Sequence, residues 1–468
     1  VTSAAERLYY SSPVWLQNVL VSAYGYKLFH KRYTGIYHQI LRRVRESRFW
    51  TPEQIEAYQS EQLFLMAKHC RENIPYYQAL FAEYGLHEND FTHTTHLTRL
   101  PVLDKETLRS KSDQFRQPGV KPYIVQHTSG STGTPLALEV NEYTYKLAMA
   151  LLVEHEEFHG VPFRARRATF AGRMVQPSDR MTPPFTRMNH AEKQKLFSSY
   201  HLNADTFPWY QRELSRFQPD ELIGYPSAIC DLSMHYQQSQ SKPGFQPTAI
   251  VTNSETLLEW QRETIESTFG CPVYDYYGTA EYVLFASQGS DQNYHLNPVI
   301  GITELLVHDP ETATGHLVAT SLTNHSMPLL RYNIGDTGQG VPPGPAGTVI
   351  HKLGRVNGRV DDYIETPDGR RIGRMDHIFK GVAGIREAQV IQDRPDHCLI
   401  KIVEKNYNIK LDKELLKNNF ISRTGPEIKI DIEVVKNIPR GSNGKFKSVI
   451  NEVTLNEIPN SGMELNER

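Results

Sequence analysis

Between about residues 120 and 350, short apolar runs alternate with amphipathic ones, and this alternation constrains the fold more than any other feature. Ala168-Thr169-Phe170, Leu222-Ile223-Gly224, Ala249-Ile250-Val251-Thr252 and Pro272-Val273-Tyr274-Asp275-Tyr276-Tyr277 read as strands. The helices between them run from Asn141, as a cap, to Phe158, from Gln211 to Phe217, and from after Thr256 to Phe269. Leu222–Gly224 is expected to pass through Tyr225-Pro226-Ser227 as a turn. Such a pattern predicts an α/β domain of parallel strands, whose ligands bind beyond the strands' carboxyl ends. Ser254-Glu255 and Gly278-Thr279-Ala280-Glu281 each follow a strand directly, so they should meet at that edge.

The flanks read differently. Residues 1–100 are expected to form a helical segment of the large domain, with helices over Ile36–Phe49, Thr51–Lys68 and Tyr76–Tyr84. Thr51-Pro52-Glu53-Gln54 has the form of a helix start, with a capping Thr, Pro at the first position and Gln three residues on. Residues 101–360 make the core, 361–455 a small α+β domain and 456–468 a tail. The small domain should hold strands at Ala388–Ile391, Cys398–Glu404 and Ile428–Val435, with a helix over Asp412–Phe420.

A net charge of −2 among 468 residues gives no reason to expect a nucleic-acid partner. Cys70, Cys230, Cys271 and Cys398 stand far apart, which fits neither a zinc ribbon nor a disulfide framework and suits a reducing cytoplasm. No apolar run reaches the ~20 residues of a spanning helix. The nearest, Val14–Leu28, is interrupted by Gln17, Asn18 and Ser22. It is expected to pack its apolar stripe on its own protein, with Lys27, Lys31 and Arg32 leaving a membrane-surface placement as the alternative.

Five motifs carry chemistry. His127-Thr128-Ser129-Gly130-Ser131-Thr132-Gly133-Thr134-Pro135 lies between two short apolar runs as a loop. Its glycines let the backbone approach a ligand, and its hydroxyls and N–H groups suit a polyphosphate, although the Gly-Lys-Ser/Thr of a Walker loop is absent. Tyr276-Tyr277-Gly278-Thr279-Ala280-Glu281 offers aromatic faces for a base and a carboxylate for Mg²⁺. In Leu330-Arg331-Tyr332-Asn333-Ile334-Gly335-Asp336 the aspartate follows a glycine turn and could accept from ribose hydroxyls. Gly358-Arg359-Val360-Asp361-Asp362 sits at the domain junction, and Asn443-Gly444-Lys445 on a late loop. Taken singly, each also reads as a turn, a core strand end or solvated surface.

Together, in this order, the five resemble the adenylate-forming superfamily, and within it the phenylacetate–CoA ligase-like family, including members from capsule and O-antigen clusters. Gly224-Tyr225-Pro226-Ser227-Ala228, Ser254-Glu255-Thr256 and Asn324-His325-Ser326-Met327-Pro328-Leu329-Leu330-Arg331-Tyr332 are similar to that branch. The resemblance implies an adenylate-forming ligase fold with a large N-terminal domain and a small mobile C-terminal one. It implies ATP-dependent activation of a small carboxylic acid, aryl acids included, to an acyl-adenylate, then transfer to coenzyme A. An amide ligase using an amino sugar or amino acid is the alternative, and a nucleotide-binding protein without catalysis a further one.

By the same resemblance, Thr128, Ser129, Gly130, Ser131, Thr132 and Gly133 form the phosphate loop. Ser254, Glu255, Thr256, Tyr276 and Tyr277, followed by Gly278 and Thr279, line the adenine. Glu281 holds Mg²⁺, Asp336 the ribose, and Arg359 the ribose or phosphate, while Asp361 is the hinge and Lys445 bridges the acyl carboxylate and α-phosphate. Arg370 and Arg371 are the cations best placed for CoA, and Phe197–His201, Tyr225 and Tyr282 are candidates for the acid pocket. Two departures stand out: Asn333-Ile334 replaces a basic residue and Thr, and the clustered cysteines of zinc-bearing relatives are absent.

Overall fold

The computed structural model describes residues 4–453 except 128–135, 172–174, 178–179, 256, 258, 310–312, 342–347, 360–362, 368–370, 374, 380–381, 383–384, 405–410, 437 and 439–448. Two compact units divide between Asn357 and Gly358.

The first unit opens with helices α1 (Ala4–Ser11), α2 (Val14–Tyr33), α3 (Tyr37–Ser47), α4 (Pro52–Asn73), α5 (Pro75–Tyr84) and α6 (Lys105–Ser110). α4 starts as its sequence predicts: the Thr51 hydroxyl accepts from Gln54 N–H, and the Gln54 side chain accepts from Thr51 N–H at 2.9 Å. α2 departs from expectation. It packs on the protein with its polar side, through Gln17, Asn18 and Ser22, rather than with its apolar stripe.

Strands β1 (Ile124–His127) and β2 (Ala137–Val140) pair antiparallel, with His127 opposite Ala137, so the phosphate-loop motif joins a hairpin. α7 (Glu142–Phe158) follows, capped by Asn141, whose Oδ1 accepts from Thr144 N–H at 2.8 Å. Next come β3 (Arg167–Phe170), β4 (Thr186–Asn189), β5 (Gln194–Phe197), α8 (Phe207–Phe217), β6 (Glu221–Gly224), α9 (Pro226–Gln238), β7 (Ala249–Asn253), α10 (Glu259–Phe269) and β8 (Val273–Gly278). β3, β6, β7 and β8 lie side by side and parallel, as the alternation predicts. The turn expected after Gly224 is instead the start of α9, where Pro226 is tolerated because the first helical N–H needs no partner. Gly224 itself is required, since a Cβ there would fall 2.2 Å from the Phe170 carbonyl oxygen.

Beyond β8 the alternation ends. β9 (Phe285–Gln288), β10 (Tyr294–Leu296), β11 (Gly301–Asp309), β12 (Thr314–Ser321), β13 (Tyr332–Gly340), β14 (Thr348–Val349) and β15 (Lys352–Arg359) follow with no helix among the described residues. Connections such as Gly289–Asn293 are too short for a crossover and impose antiparallel pairing. These strands extend the parallel set into a thirteen-stranded sheet among the described residues, β14-β11-β12-β13-β15-β10-β9-β8-β7-β6-β3-β5-β4. Among the described residues three apolar clusters line it. One joins α3 and α7 to Phe285, another gathers α8–α10, and the largest packs Met66, Tyr77 and Phe81 against Leu317 and Tyr332.

In the second unit β16 (Tyr363–Glu365) pairs with β17 (Arg371–Gly373). β18 (Ile385–Arg394), β19 (His397–Glu404), α11 (Lys413–Thr424), β20 (Lys429–Val434) and β21 (Val449–Asn451) follow, in the sheet order β20-β19-β18-β21. Asp412 lies just outside α11 as its cap, accepting from Leu415 N–H at 2.9 Å.

Candidate active site

The parallel strands end together. Asn253 pairs with Tyr276 across β7 and β8, so Ser254-Glu255 leave the sheet beside the last residues of β8. Ser254 turns out of the strand in the left-handed region, at φ 65°, and its hydroxyl donates to Asn253 Oδ1 at 2.7 Å. A non-glycine residue held there costs about 1 kcal/mol or more, a kind of strain that clusters at functional sites. Glu255 is buried, and Gly278 is exposed at the end of β8.

Tyr276 and Tyr277 point to opposite faces of β8, as neighbours in a strand must. Tyr276 stacks on Phe285 at 5.3 Å and meets His155 edge-on, and burial raises its hydroxyl pKa. Tyr277 faces the other way and donates to Asp336 Oδ2 at 2.6 Å. The two rings therefore do not line one pocket wall together, and Tyr277 is the one that meets the second motif.

Asp336 is positioned by a bulge, not by a turn between elements. Opposite β12, the register passes from Val318–Asn333 to His316–Thr337, so Ile334, Gly335 and Asp336 oppose Leu317. Gly335 takes φ 85° and donates its N–H to Asn333 Oδ1. The start of β13 is pinned by Leu103, whose N–H donates to Arg331 O and whose carbonyl accepts from Asn333 N–H, both at 2.9 Å. Tyr332 in turn donates to Glu281 Oε1 at 3.2 Å. Two motifs more than fifty residues apart are thus joined by two tyrosine hydroxyls. In the chain between Tyr277 and Glu281, Thr279 Oγ1 is buried without a hydrogen-bond partner among the described residues.

The same region anchors the hairpin. Asn324 Nδ2 donates to Glu139 O on β2, Asn324 Oδ1 accepts from Asn141 N–H, and Asn141 Nδ2 donates to Thr323 O. Leu330 N–H donates to the Tyr77 hydroxyl at 2.8 Å, and Arg331 pairs with Glu304 at 3.2 Å. Asn324–Tyr332, which the sequence offers only as a family marker, is therefore the clamp between β2 and β13. Its signal was the run of polar residues and a proline ahead of a strand.

Known proteins resemble this chain. Residues 364–452 match the family model of the CapK C-terminal domain. The chain is 26% identical to Protein CapK of Staphylococcus aureus over 95% of its own length and 99% of that protein's. It is 26% identical to phenylacetate-coenzyme A ligase of Escherichia coli (strain K12), over 67% of this chain and 72% of that one. A 2-hydroxyisobutyryl-CoA ligase solved in its postadenylation state shares the fold, with a TM-score of 0.54 at 17% identity, over 88% of this chain and 96% of that one. The chain is thus similar to CapK over nearly its full length and to a phenylacetate–CoA ligase over two thirds of it, and it shares the fold of an adenylate-forming ligase.

Several site residues expected from the resemblance lie outside the described ones: Thr128, Ser129, Gly130, Ser131, Thr132, Gly133, Thr256, Asp361, Arg370 and Lys445. Arg359 ends β15 and Arg371 starts β17, and their side chains also fall outside. Of the acid-pocket candidates, Phe197, Ser198 and His201 are fully engaged. Phe197 stacks on Phe170, His201 Nδ1 bonds Ser198 Oγ at 2.7 Å, and its Nε2 bonds Pro177 O at 3.0 Å. Tyr200's side chain is not among the described residues. Tyr225 and Tyr282 remain half-buried at the sheet edge, Tyr282 at φ 56° with its hydroxyl pKa pushed up to about 12 by burial.

Glu281 fits a hard cation of the magnesium kind. Its Oε1 takes the Tyr332 hydroxyl, and its Oε2 has no protein partner among the described residues. Those residues hold no cluster of three or more metal-ligating side chains, so phosphates would have to supply the other ligands, as is usual for Mg²⁺.

Proposed function

We propose that this protein activates a small carboxylic acid with ATP, forming an acyl-adenylate and releasing pyrophosphate, and then passes the acyl group to coenzyme A. The observation that carries this reading is the joining of Tyr277 to Asp336 and of Tyr332 to Glu281 at one sheet edge. The hydroxyl of Thr279, without a partner among the described residues, lies in the chain between Tyr277 and Glu281. Similarity to these relatives supports the chemistry, and the name of the E. coli relative supports CoA as acceptor.

In this reading the acid's carboxylate oxygen attacks the α-phosphorus of ATP, a P–O bond to pyrophosphate breaks, and no protein nucleophile is needed. Asp336, aimed by the Gly335 bulge and the Tyr277 hydroxyl, accepts from the ribose hydroxyls. Thr279 supplies a hydroxyl to the nucleotide, and Thr128–Gly133 supply N–H groups to the phosphates. Bound through those phosphates, Mg²⁺ on Glu281 would neutralise charge on the departing pyrophosphate. Lys445 stabilises charge developing at the α-phosphate and Arg359 contacts the ribose or phosphate. In the second half-reaction the CoA thiol attacks the acyl carbon and AMP leaves. Asp361 is the hinge that withdraws Lys445, and Arg370 and Arg371 meet the phosphates of CoA.

An amine acceptor is the second reading, because the similarity to the CoA ligase of E. coli covers only 67% of this chain. The test supplies ATP, Mg²⁺ and a panel of aryl, short-chain and hydroxy acids, measures pyrophosphate, and then compares CoA with a panel of amines. Thioester without amide supports the proposal. Acyl-AMP consumed only by an amine replaces the acceptor, and no pyrophosphate with any acid sinks the ligase reading. Lys445→Ala should bind ATP but release no pyrophosphate.

A further inference from the structure

The polar inward side of α2 has a counterpart facing out. Gln17 is buried and accepts from Arg187 Nε at 2.6 Å, while Asn18 Oδ1 accepts from Met188 N–H at 3.0 Å. The Ser22 hydroxyl donates to Met188 O at 3.0 Å. β4 is the last strand of the sheet among the described residues, so Asn18 and Ser22 satisfy backbone groups along its outer edge while Gln17 holds the Arg187 guanidinium. Gly25 fixes the rotation of the helix, since a Cβ there would fall 2.0 Å from Asn189 Oδ1. Trp15, Val19, Leu20, Tyr24 and Tyr26 are consequently 67%, 54%, 46%, 60% and 57% exposed. At 3.6 residues per turn they share one half of the helix with Ala23, Lys27 and His30, opposite Gln17, Asn18 and Gly25.

Charge and residue type identify what covers this face. From Arg7 to Arg45 the chain carries seven Lys or Arg and no Asp or Glu; Arg32 and Arg45 pair with Glu192 and Glu157, while Lys27 stands on the exposed half of α2. Three of the five outward residues are Trp or Tyr, which seat an apolar body and a polar tip at a membrane–water boundary. Lys27 and His30 lie inside the exposed face, where a protein interface core would be depleted of Lys. On a bilayer the Lys27 stem lies along the apolar layer while its ammonium reaches lipid phosphates. No helix of the described residues is long and apolar enough to cross a membrane, so the helix lies flat. We infer that α2 seats this protein on the surface of an anionic lipid bilayer, with Trp15, Val19, Leu20, Tyr24 and Tyr26 in the headgroup–acyl boundary. This inference is independent of the ligase reading.

The test uses the full chain and vesicles of phosphatidylcholine with or without phosphatidylglycerol. The protein should sediment with the anionic vesicles, less so as salt rises, and its tryptophan emission should shift to the blue. A triple variant, Trp15→Ser, Leu20→Ser and Tyr24→Ser, should lower partitioning about tenfold or more. Lys27→Glu, also at an exposed position, should lower binding to the anionic vesicles about tenfold and leave the thermal melt unchanged. Failure of the parent to sediment with anionic vesicles, or equal binding by both variants, overturns the inference. So does light scattering that shows a dimer broken by the triple variant, because the face would then be an interface between proteins.

Discussion

Asp275 and Asp336 are both held by a tyrosine hydroxyl near the same sheet edge, yet they are enclosed in opposite ways. Asp275 accepts from Thr252 at 2.6 Å and from Tyr294 at 2.7 Å, one hydroxyl on each oxygen, and is 4% exposed. Asp336 accepts from Tyr277 at 2.6 Å and stays partly open. Glu281 also keeps capacity, since its Oε2 has no protein partner among the described residues. Carboxylates saturated by the protein belong to its architecture; carboxylates left with capacity at a strand edge are where a ligand completes the shell. From that contrast we propose that Asp275 serves stability and that Glu281 and Asp336 serve binding and chemistry, and each proposal can be broken.

The largest effect should come from Glu281→Gln. The variant still accepts from Tyr332 but loses the charge that a cation needs, so pyrophosphate release should fall about a hundredfold or more with the melt unmoved. Parental pyrophosphate release at saturating Mg²⁺ would place Glu281 with Asp275, among the architectural groups.

Asp275→Asn should do the reverse, with activity within a few-fold of the parent and a changed pH dependence of stability. Burial pushes the Asp275 carboxyl up to about 7 from an ordinary 3.8, against the hydroxyls that donate to it. The folded state therefore holds a proton that the unfolded chain has released between those values. Its contribution is complete below pH 3.8 and is lost as pH rises to 7, on the order of a few kcal/mol over the window. Denaturant titrations at several pH values should show the variant gaining on the parent as pH rises. A constant difference between the two would mean that Asp275 does not take up that proton.

Asp336→Asn comes next. It preserves an acceptor for Tyr277 but removes a charged partner for the ribose hydroxyls, worth about 1.5 kcal/mol or more. KM for ATP should rise about tenfold while kcat at saturation changes little. An unchanged KM would leave the aspartate as a strut for Tyr277.

The parallel strands and their loops were legible because each strand has a strong local signature and the connections are long enough for helices. The meeting of Ser254-Glu255 with Gly278–Glu281 followed from that alone. What escaped depended on partners distant in the chain. The bulge at Gly335 exists only through its pairing with β12, and the clamp from Asn324 to Glu139 spans 185 residues. α2 shows the same limit in another form. Its periodicity marks two faces, but which one turns inward was decided by the open edge of β4, which wanted hydrogen bonds more than apolar contact. Tyr276 and Tyr277 were read as a pair, and strand alternation separated them.

The smallest effect tests that separation. Tyr277→Phe removes one hydroxyl from Asp336 and leaves the ring, so the site should lose about 1 kcal/mol, or roughly fivefold in KM for ATP. Tyr276→Phe, whose ring lies in the apolar cluster on the opposite face, should leave KM for ATP unchanged. A hydroxyl that acts only by aiming Asp336 has nothing to aim once the carboxylate is gone. The double variant Tyr277→Phe, Asp336→Asn should then show little more loss than Asp336→Asn alone, a coupling of about the full single-variant effect. Simple additivity would instead mean that Tyr277 meets the nucleotide by itself and that its bond to Asp336 is incidental.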